Sequence, residues 1–491
     1  GMTARSEKIL LFTLFVFCLA IRIAFITQKN LWFDEVFSWH LSLTSFYDII
    51  VRTANDIHPP LYYFTLKIWN FVLGDSVVSM RLLSALFTSC AVFFLYPISR
   101  RFMDPLQSLL VILLYSLSPL NLYYSQEVRM SAMNLFLNLG SIYFLMKLTD
   151  KIPASARFYK DRNAVLYTLF TAAALYTHYF SFFILIAELV FILFCYIRSP
   201  KELKTFIYIF AAIGVLYLVW VPDLLTHFTR GQSWRTPQNI SAVFDEYLNY
   251  GKDLSLGLYY YYADYRVIEY LKYFIYFFFA ASIAAVFLKH RPLENKYLNL
   301  VLLAVFVPLL LAGILSFNQK IEFYRYLSIL VPYISIMIVY GLMNFVYKPA
   351  GIVILILFML INIYGIRTHF NFNFKNDDYR ALISDVESKF APGERIYVEP
   401  HYNGWVIDYY KKQENLKLPN PAFVRYGWGE IMDSISTQKP ESFWVVLDYS
   451  AVDTSKYKDY LIDLNSKYRL DSKMTYYLAP SRVELYRYRS N

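Results

Sequence analysis

Eleven apolar runs, near residues 9–27, 77–98, 106–120, 129–146, 164–177, 180–197, 205–221, 267–288, 297–315, 324–346 and 350–367, set the terms on which this chain can fold. A helix needs a run of this kind to cross roughly 30 Å of hydrocarbon. Lipid supplies no hydrogen bonds to a backbone, so the runs predict membrane-spanning helices. Composition agrees: 57% of the residues are hydrophobic, 20% aromatic and only 17% charged, well under the charged share of a soluble domain. The first run follows Arg5 and Lys8 without a small-x-small cleavage pattern, so it reads as a retained span, and Gly1 before Met2 reads as a tag remnant. Cys18, Cys90 and Cys195 all lie inside apolar runs, where a thiol behaves as a small hydrophobe. Neither a disulfide framework nor a cysteine metal site follows.

Numbering the connections alternately from an inside N-terminus gives inside segments with 16 Lys and Arg in 50 residues, against 8 in 110 outside. That is the asymmetry expected of loops that fix membrane orientation. The net charge of +10 is therefore assigned to topology, and no nucleic-acid partner is implied. Two places leave alternatives open. The stretch 164–197 reads either as two spans or as one re-entrant hairpin. "LYYFTLKIWNFVL" (61–73) is short for a span and carries Lys67, which suits a helix lying along the membrane surface. The aromatic cluster at 258–265 reads as an interfacial belt.

With eleven spans, everything after residue 368 lies outside. There polar helical stretches such as "DDYRALISDVESKF" alternate with the strand-like runs "RIYVEP", "SFWVVLDYS" and "RVELYRYR", and Pro392-Gly393 marks a turn. The expected fold class is a polytopic α-helical membrane protein with a small C-terminal extracytoplasmic α/β domain. The expected boundary divides 1–367, whose first outer loop is 28–76, from 368–491.

The outer ends of the helices collect polar groups. Asp34 and Glu35 lie in "LWFDEVFSWH" just after the first span. Later in the same loop "DIHPPLYY" places Asp56 and His58 before Pro59-Pro60, which block a helix before them and pre-set one after. "SPLNLYYSQEVRM" brings Gln126, Glu127 and Arg129 to the same face, "YTHYFS" brings His178 and Tyr179, and "NQKIEFYRYLSILVP" brings Lys320, Glu322 and Arg325. Each has a plainer explanation. Asp34-Glu35 reads also as a solvated helix cap, Glu127 as a partner for Arg129, and His178 as a hydrogen-bonded packing residue. Arg22, Arg81, Arg129, Glu188 and Arg325 fall in or beside apolar runs, where a charge costs about 2.5–3.5 kcal/mol unless it is paired or wetted. Loop carboxylates would serve Arg22 and Arg81. Three carboxylates with His58 leave room for a divalent cation, although their spacing does not demand one.

The order Asp-Glu after the first span, Asp-x-His-Pro-Pro-Leu in the same loop, Tyr-Ser-Gln-Glu-x-Arg opening the fourth span and Arg-Tyr-Leu…Pro in a late span resembles the GT-C glycosyltransferases that use polyprenyl-phosphate sugars. Protein O-mannosyltransferases and the bacterial aminoarabinose transferases of lipid A belong to that group. The resemblance covers about residues 9–367. It implies an inverting transfer from a lipid-phosphate sugar donor to a lipid, glycan or protein hydroxyl. It also implies Asp34 as base with Glu35 beside it, and support from Asp56 and His58. A leaving phosphate calls for fixed cations, for which Arg325 and Lys320 lead and Arg129 and Arg230 follow. Gln126, Glu127, His178 and Tyr179 would support or meet the acceptor. The implied setting is a bacterial cytoplasmic membrane, with the site and C-terminal domain facing the periplasm or exterior. The rival classes are a secondary transporter or lipid-sugar flippase, for which paired repeats are expected but not found, and a non-catalytic glycan-assembly protein.

Overall fold

The computed structural model describes residues 3–230, 235–259, 264–289, 294–345, 347–371, 378–418, 421–422, 427–450, 454–478 and 481–490. Part of the expected aromatic belt, 260–263, lies outside them. The chain divides into two compact units: Gly1–Ala24, Thr44–Leu73 and Ser79–His369 form one, and Phe25–Leu43, Gly74–Val78 and Phe370–Asn491 the other.

In the first unit every one of the eleven apolar runs lies on helix. Among the described residues, five helices are long and apolar enough to cross a membrane: Val77–Ser99, Pro200–Arg230, Tyr265–Lys289, Lys296–Ser316 and Lys348–His369. A sixth would be Pro105–Ser116 with Pro119–Ser125, a pair bent by 61°. The bend has a local cause. Pro119 cannot continue the preceding helix, and Ser118 restarts it by accepting the Asn121 N–H at 3.3 Å. The run 164–197 divides into Arg162–Leu175 and Ser181–Tyr196. Leu61–Leu73 is helical, with Tyr62, Tyr63 and Leu66 buried and Ile68, Phe71, Val72 and Leu73 exposed. Helices Tyr265–Lys289 and Val331–Met343 meet at Gly341, where a Cβ would lie 2.5 Å from the Ser282 carbonyl.

Two charged side chains inside the bundle find partners within the protein. Glu188, fully buried, accepts hydrogen bonds from Ser141 Oγ at 2.6 Å and Tyr167 Oη at 2.8 Å. Arg22 does not take the loop carboxylate expected for it. Its guanidinium donates to the Cys18 and Ser116 carbonyls at 3.1 and 3.3 Å and lies 5.5 Å from the Tyr115 ring centroid. A carbonyl one helical turn back is the nearest acceptor in an apolar setting.

The second unit is built on a five-stranded sheet of order β2-β1-β3-β5-β4, with β1 Ile396–Glu399, β2 Pro421–Ala422, β3 Ser442–Asp448, β4 Tyr468–Leu478 and β5 Ser481–Ser490. β1 pairs in parallel with β2 and β3, and β5 lies antiparallel between β3 and β4. The expected helix is Tyr379–Lys389, and Gly393 makes its turn at φ +88°, a conformation glycine adopts without strain. Glu394 follows. It is buried and accepts from Trp444 Nε1 at 2.7 Å, Arg487 Nη2 at 2.6 Å and the Ala391 N–H at 3.0 Å.

This unit takes in more chain than the sequence suggests, because residues 25–43 and 74–78 pack with the C-terminal region. The Leu31 N–H donates to Tyr410 Oη at 2.7 Å. Asp75 accepts from Trp39 Nε1 at 2.7 Å, Gln413 Nε2 at 3.0 Å and, through its carbonyl, Tyr409 Oη at 3.0 Å. Removing the acid at the centre of the Glu394 network leaves a largely buried guanidinium short of its main partner, a loss of about 3–5 kcal/mol. Glu394→Ala should therefore lower the thermal unfolding temperature of this unit markedly in tryptophan fluorescence, whereas an unchanged transition would show that the network is not structural.

Candidate active site

The site in the first unit starts from a turn. Helix Phe46–Ala54 ends where Asp56 N–H bonds the Thr53 carbonyl at 3.1 Å, and Pro59-Pro60 stop any continuation before Leu61, whose N–H donates to the Tyr176 carbonyl at 3.1 Å. Arg230 fastens the turn from outside, donating to the Asn55 and Asp56 carbonyls. Within it, His58 Nδ1 lies 2.9 Å from Asp56 Oδ2. Donation from Nδ1 to the carboxylate leaves Nε2 as an acceptor.

His178 and Tyr179 occupy the break between Arg162–Leu175 and Ser181–Tyr196. His178 Nδ1 accepts the Phe180 N–H at 3.1 Å, and its ring lies 6.3 Å from His58 and 5.5 Å from Tyr326. Tyr179 Oη accepts from Trp220 Nε1 at 3.0 Å and pairs with His227 Nδ1; His227 Nε2 donates to the Ala54 carbonyl at 2.9 Å. Tyr326 stacks on Phe180 at 4.7 Å, and Arg235 lies 4.9 Å from the Tyr326 ring centroid and bonds its hydroxyl.

These groups line a cavity of about 370 Å³. Its lining combines the apolar side chains of Phe180, Phe182, Phe183, Ile186 and Ile321 with the polar ones of His58, His178, Tyr179, His227 and Arg235. The electrostatics set burial and cations against one carboxylate. Burial lowers the affinity of His58 for a proton, the Asp56 hydrogen bond opposes this, and the charges of Arg129 and Arg325 lower it further. His178 is pushed well below the ordinary histidine range by burial, by His58, and by Arg129, Arg325 and Arg235. Burial works to raise Asp56, but the His58 hydrogen bond and charge, the Ile57 N–H and Arg129 hold its carboxyl below the usual value. Both imidazoles are therefore neutral near pH 7, in a field set by three guanidiniums.

Not every expected residue joins this group. Asp34 and Glu35 lie in the first turn of helix Phe33–Ser42, in the second unit, with Glu35 buried. Lys320 is paired with Glu246 at 3.7 Å and is absent from the cavity lining. Arg325 sits 3.8 Å from Glu322, and Arg129, buried, donates to Tyr63 Oη at 3.2 Å. Gln126 is a clamp: Nε2 donates to the Arg22 and Ala24 carbonyls at 2.8 and 2.9 Å, while Oε1 lies 2.9 Å from His369 Nε2. Glu127 is buried, and its carbonyl accepts from Ser84 Oγ at 2.6 Å and the Arg129 N–H at 2.9 Å. Among the described residues no three His, Cys, Asp or Glu side chains are grouped to hold a metal ion. His227, Arg235 and Tyr326 were not singled out from the sequence. For His227 and Arg230 the signal was their position three residues apart where helix Pro200–Arg230 runs past its apolar stretch.

Residues 57–223 match the family described as dolichyl-phosphate-mannose-protein mannosyltransferase, a segment holding His58, Gln126, Arg129 and His178. ArnT from Cupriavidus metallidurans in the apo state superposes over 99% of this chain and 98% of its own, with TM-score 0.60 at 11% identity. The fold is that of the GT-C glycosyltransferases. The same ArnT bound to undecaprenyl phosphate gives a TM-score of 0.55 at 11% identity over 99% of this chain and 98% of its own. The Archaeoglobus fulgidus oligosaccharyltransferase tethered to an acceptor peptide gives 0.54 at 12% identity, over 97% of this chain and 73% of its own. No curated protein matches in sequence. The matched family and the GT-C fold together support a membrane glycosyltransferase.

On unfolding, His58 and His178 return to about 6.5. Below that pH the unfolded chain binds more protons than the folded one, so stability rises with pH and is lost as pH falls from about 6.5 toward the depressed folded values. His178→Asn should flatten the fall in unfolding temperature between pH 7.5 and 5.5; an unaltered slope would show that His178 is charged in the folded protein.

Proposed function

We propose that the chain transfers a sugar from a polyprenyl-phosphate carrier to an acceptor hydroxyl at the outer face of the membrane, with inversion at the anomeric carbon. The observation that carries this reading is the mixed lining of the cavity: aromatic and aliphatic side chains together with imidazoles under the charge of Arg129, Arg235 and Arg325. An isoprenoid phosphate likewise combines an apolar chain with an anionic head. As the bond to the sugar breaks, negative charge builds on the phosphate, and fixed guanidiniums in a dry setting stabilise it without reorganising. Pairing to a charged group is worth about 1.5–3 kcal/mol. Inside and outside follow the lysine and arginine asymmetry of the loops.

The acceptor proton needs a base. The Asp-Glu doublet after the first span assigns this role to Asp34, by resemblance to the GT-C enzymes. A second reading has an observation of its own. His58, neutral and held by Asp56 with Nε2 free of that bond, is a dyad suited to accept a proton. Arg325→Ala should raise the KM for a polyprenyl-phosphate sugar about tenfold or more, and unchanged donor kinetics would remove Arg325 from the site. Loss of the base should cost kcat about 100-fold or more. Asp34→Asn and His58→Gln, compared at saturating donor, identify it; full activity in both would leave the transfer mechanism without either base.

A further inference from the structure

The sheet of the second unit has a place where strand order reverses. From β1 the chain passes through helix Gly404–Gln413 to β2 on one side, then returns through Trp428–Gln438 to β3 on the other. In open parallel sheets such a switch point leaves a crevice at the carboxyl ends of the strands, which is where ligands bind. Here those ends are Glu399 and Asp448, with Glu399 in register with Leu447.

The two acids are in opposite states. Asp448 is saturated: Tyr379 Oη at 2.6 Å, Asn403 Nδ2 at 2.7 Å, and the Ser450 N–H and Oγ at 2.8 and 2.5 Å all donate to it. Tyr457 Oη donates to both strand-end carbonyls, 2.9 Å from Asp448 and 3.2 Å from Glu399, and so ties the two strands. The Glu399 side chain, 7% exposed, has no such support. Its Oε1 lies 3.8 Å from the half-exposed Lys456 ammonium, and its Oε2 is buried without a hydrogen-bond partner. Burial raises its carboxyl above the ordinary value against the pull of Lys456 and His401. A buried acceptor left unmet is a liability that folding alone does not explain.

What surrounds Glu399 gives the class of ligand. Tyr402, three residues past the end of β1, is half-buried. The Tyr402 ring packs 4.5 Å from Phe33, and its phenol is raised by burial and by the charges of Asp448, Glu399 and Asp34. An unmet carboxyl, an ammonium beside it and an aromatic ring match adjacent hydroxyls and the apolar face of a sugar ring; the ammonium disfavours a cationic ligand. We propose that the carboxyl edge of β1 and β3 binds carbohydrate, with Glu399 Oε2 accepting a sugar hydroxyl, Lys456 donating to its neighbour, and Tyr402 against the ring. The proposal deepens the transfer reading, on which it rests, by making the acceptor a glycan or glycolipid.

Saturation-transfer NMR on the full chain in nanodiscs, free of sugar-headed detergents, with chitobiose and cellobiose as probes, tests it. Transfer to at least one disaccharide is expected, reduced at least fivefold in both Glu399→Leu and Lys456→Met. Glu399→Leu should also unfold at the same or a higher temperature, since it removes an unmet buried acceptor. No transfer to either disaccharide, or undiminished transfer in Glu399→Leu, overturns the site. Donor-sugar cleavage by the unmodified protein is assayed separately. Its absence from the unmodified protein would overturn the transferase reading while leaving sugar binding as the result that decides this one.

Discussion

Hydrocarbon cannot hydrogen-bond, and this constraint orders the membrane unit. A polar group inside the bundle must find a protein partner, as Glu188 does with Ser141 and Tyr167 and Arg22 does with two carbonyls. The groups of the candidate site are instead placed where helices break. Asp56 and His58 sit before Pro59-Pro60, His178 and Tyr179 between two helices, and Arg325 in the four-residue helix Phe323–Tyr326. A broken helix frees backbone N–H and carbonyl groups, and these hold the site's side chains: the Phe180 N–H on His178, the Ala54 carbonyl on His227.

The same arginines do two things at once. Burial first, and then the arginine charges, hold His58 and His178 below the ordinary histidine range. In the proposed transfer the same guanidiniums would meet the phosphate of the carrier, so one set of charges would serve both the neutral imidazoles and the anionic leaving group.

Much of this was legible in the sequence because it is local. The apolar runs report helices, Pro59-Pro60 a bend, Pro392-Gly393 a turn, and "SFWVVLDYS" a buried strand. What was not legible depends on partners far along the chain. Gln126 looks like a site residue within Tyr-Ser-Gln-Glu-x-Arg, but its amide is spent on Arg22, Ala24 and His369. Lys320 looks like a phosphate ligand until Glu246, more than seventy residues earlier, is seen beside it. Residues 25–43 read as the start of a membrane loop, yet Leu31 bonds Tyr410 and Trp39 bonds Asp75. No period or composition announces such pairings.

That last pairing bears on why the acidic doublet stands where it does. A carboxylate on a free loop would sample many positions, and a base held loosely is a poor one. Helix Phe33–Ser42 is fixed along its length: Phe33 against Tyr402 at 4.5 Å, His40 stacked on Trp405 at 4.5 Å, and Trp39 edge-on to Tyr409 at 5.0 Å with its indole N–H on Asp75. Asp34 lies in the first turn of that helix. Helix Gly404–Gln413 and the turn before it thereby brace a short helix nearly four hundred residues earlier in the chain. A change at Trp405 or Asp75 would move Asp34 without touching it, so this unit would position the acid that the sequence pattern marks as the base.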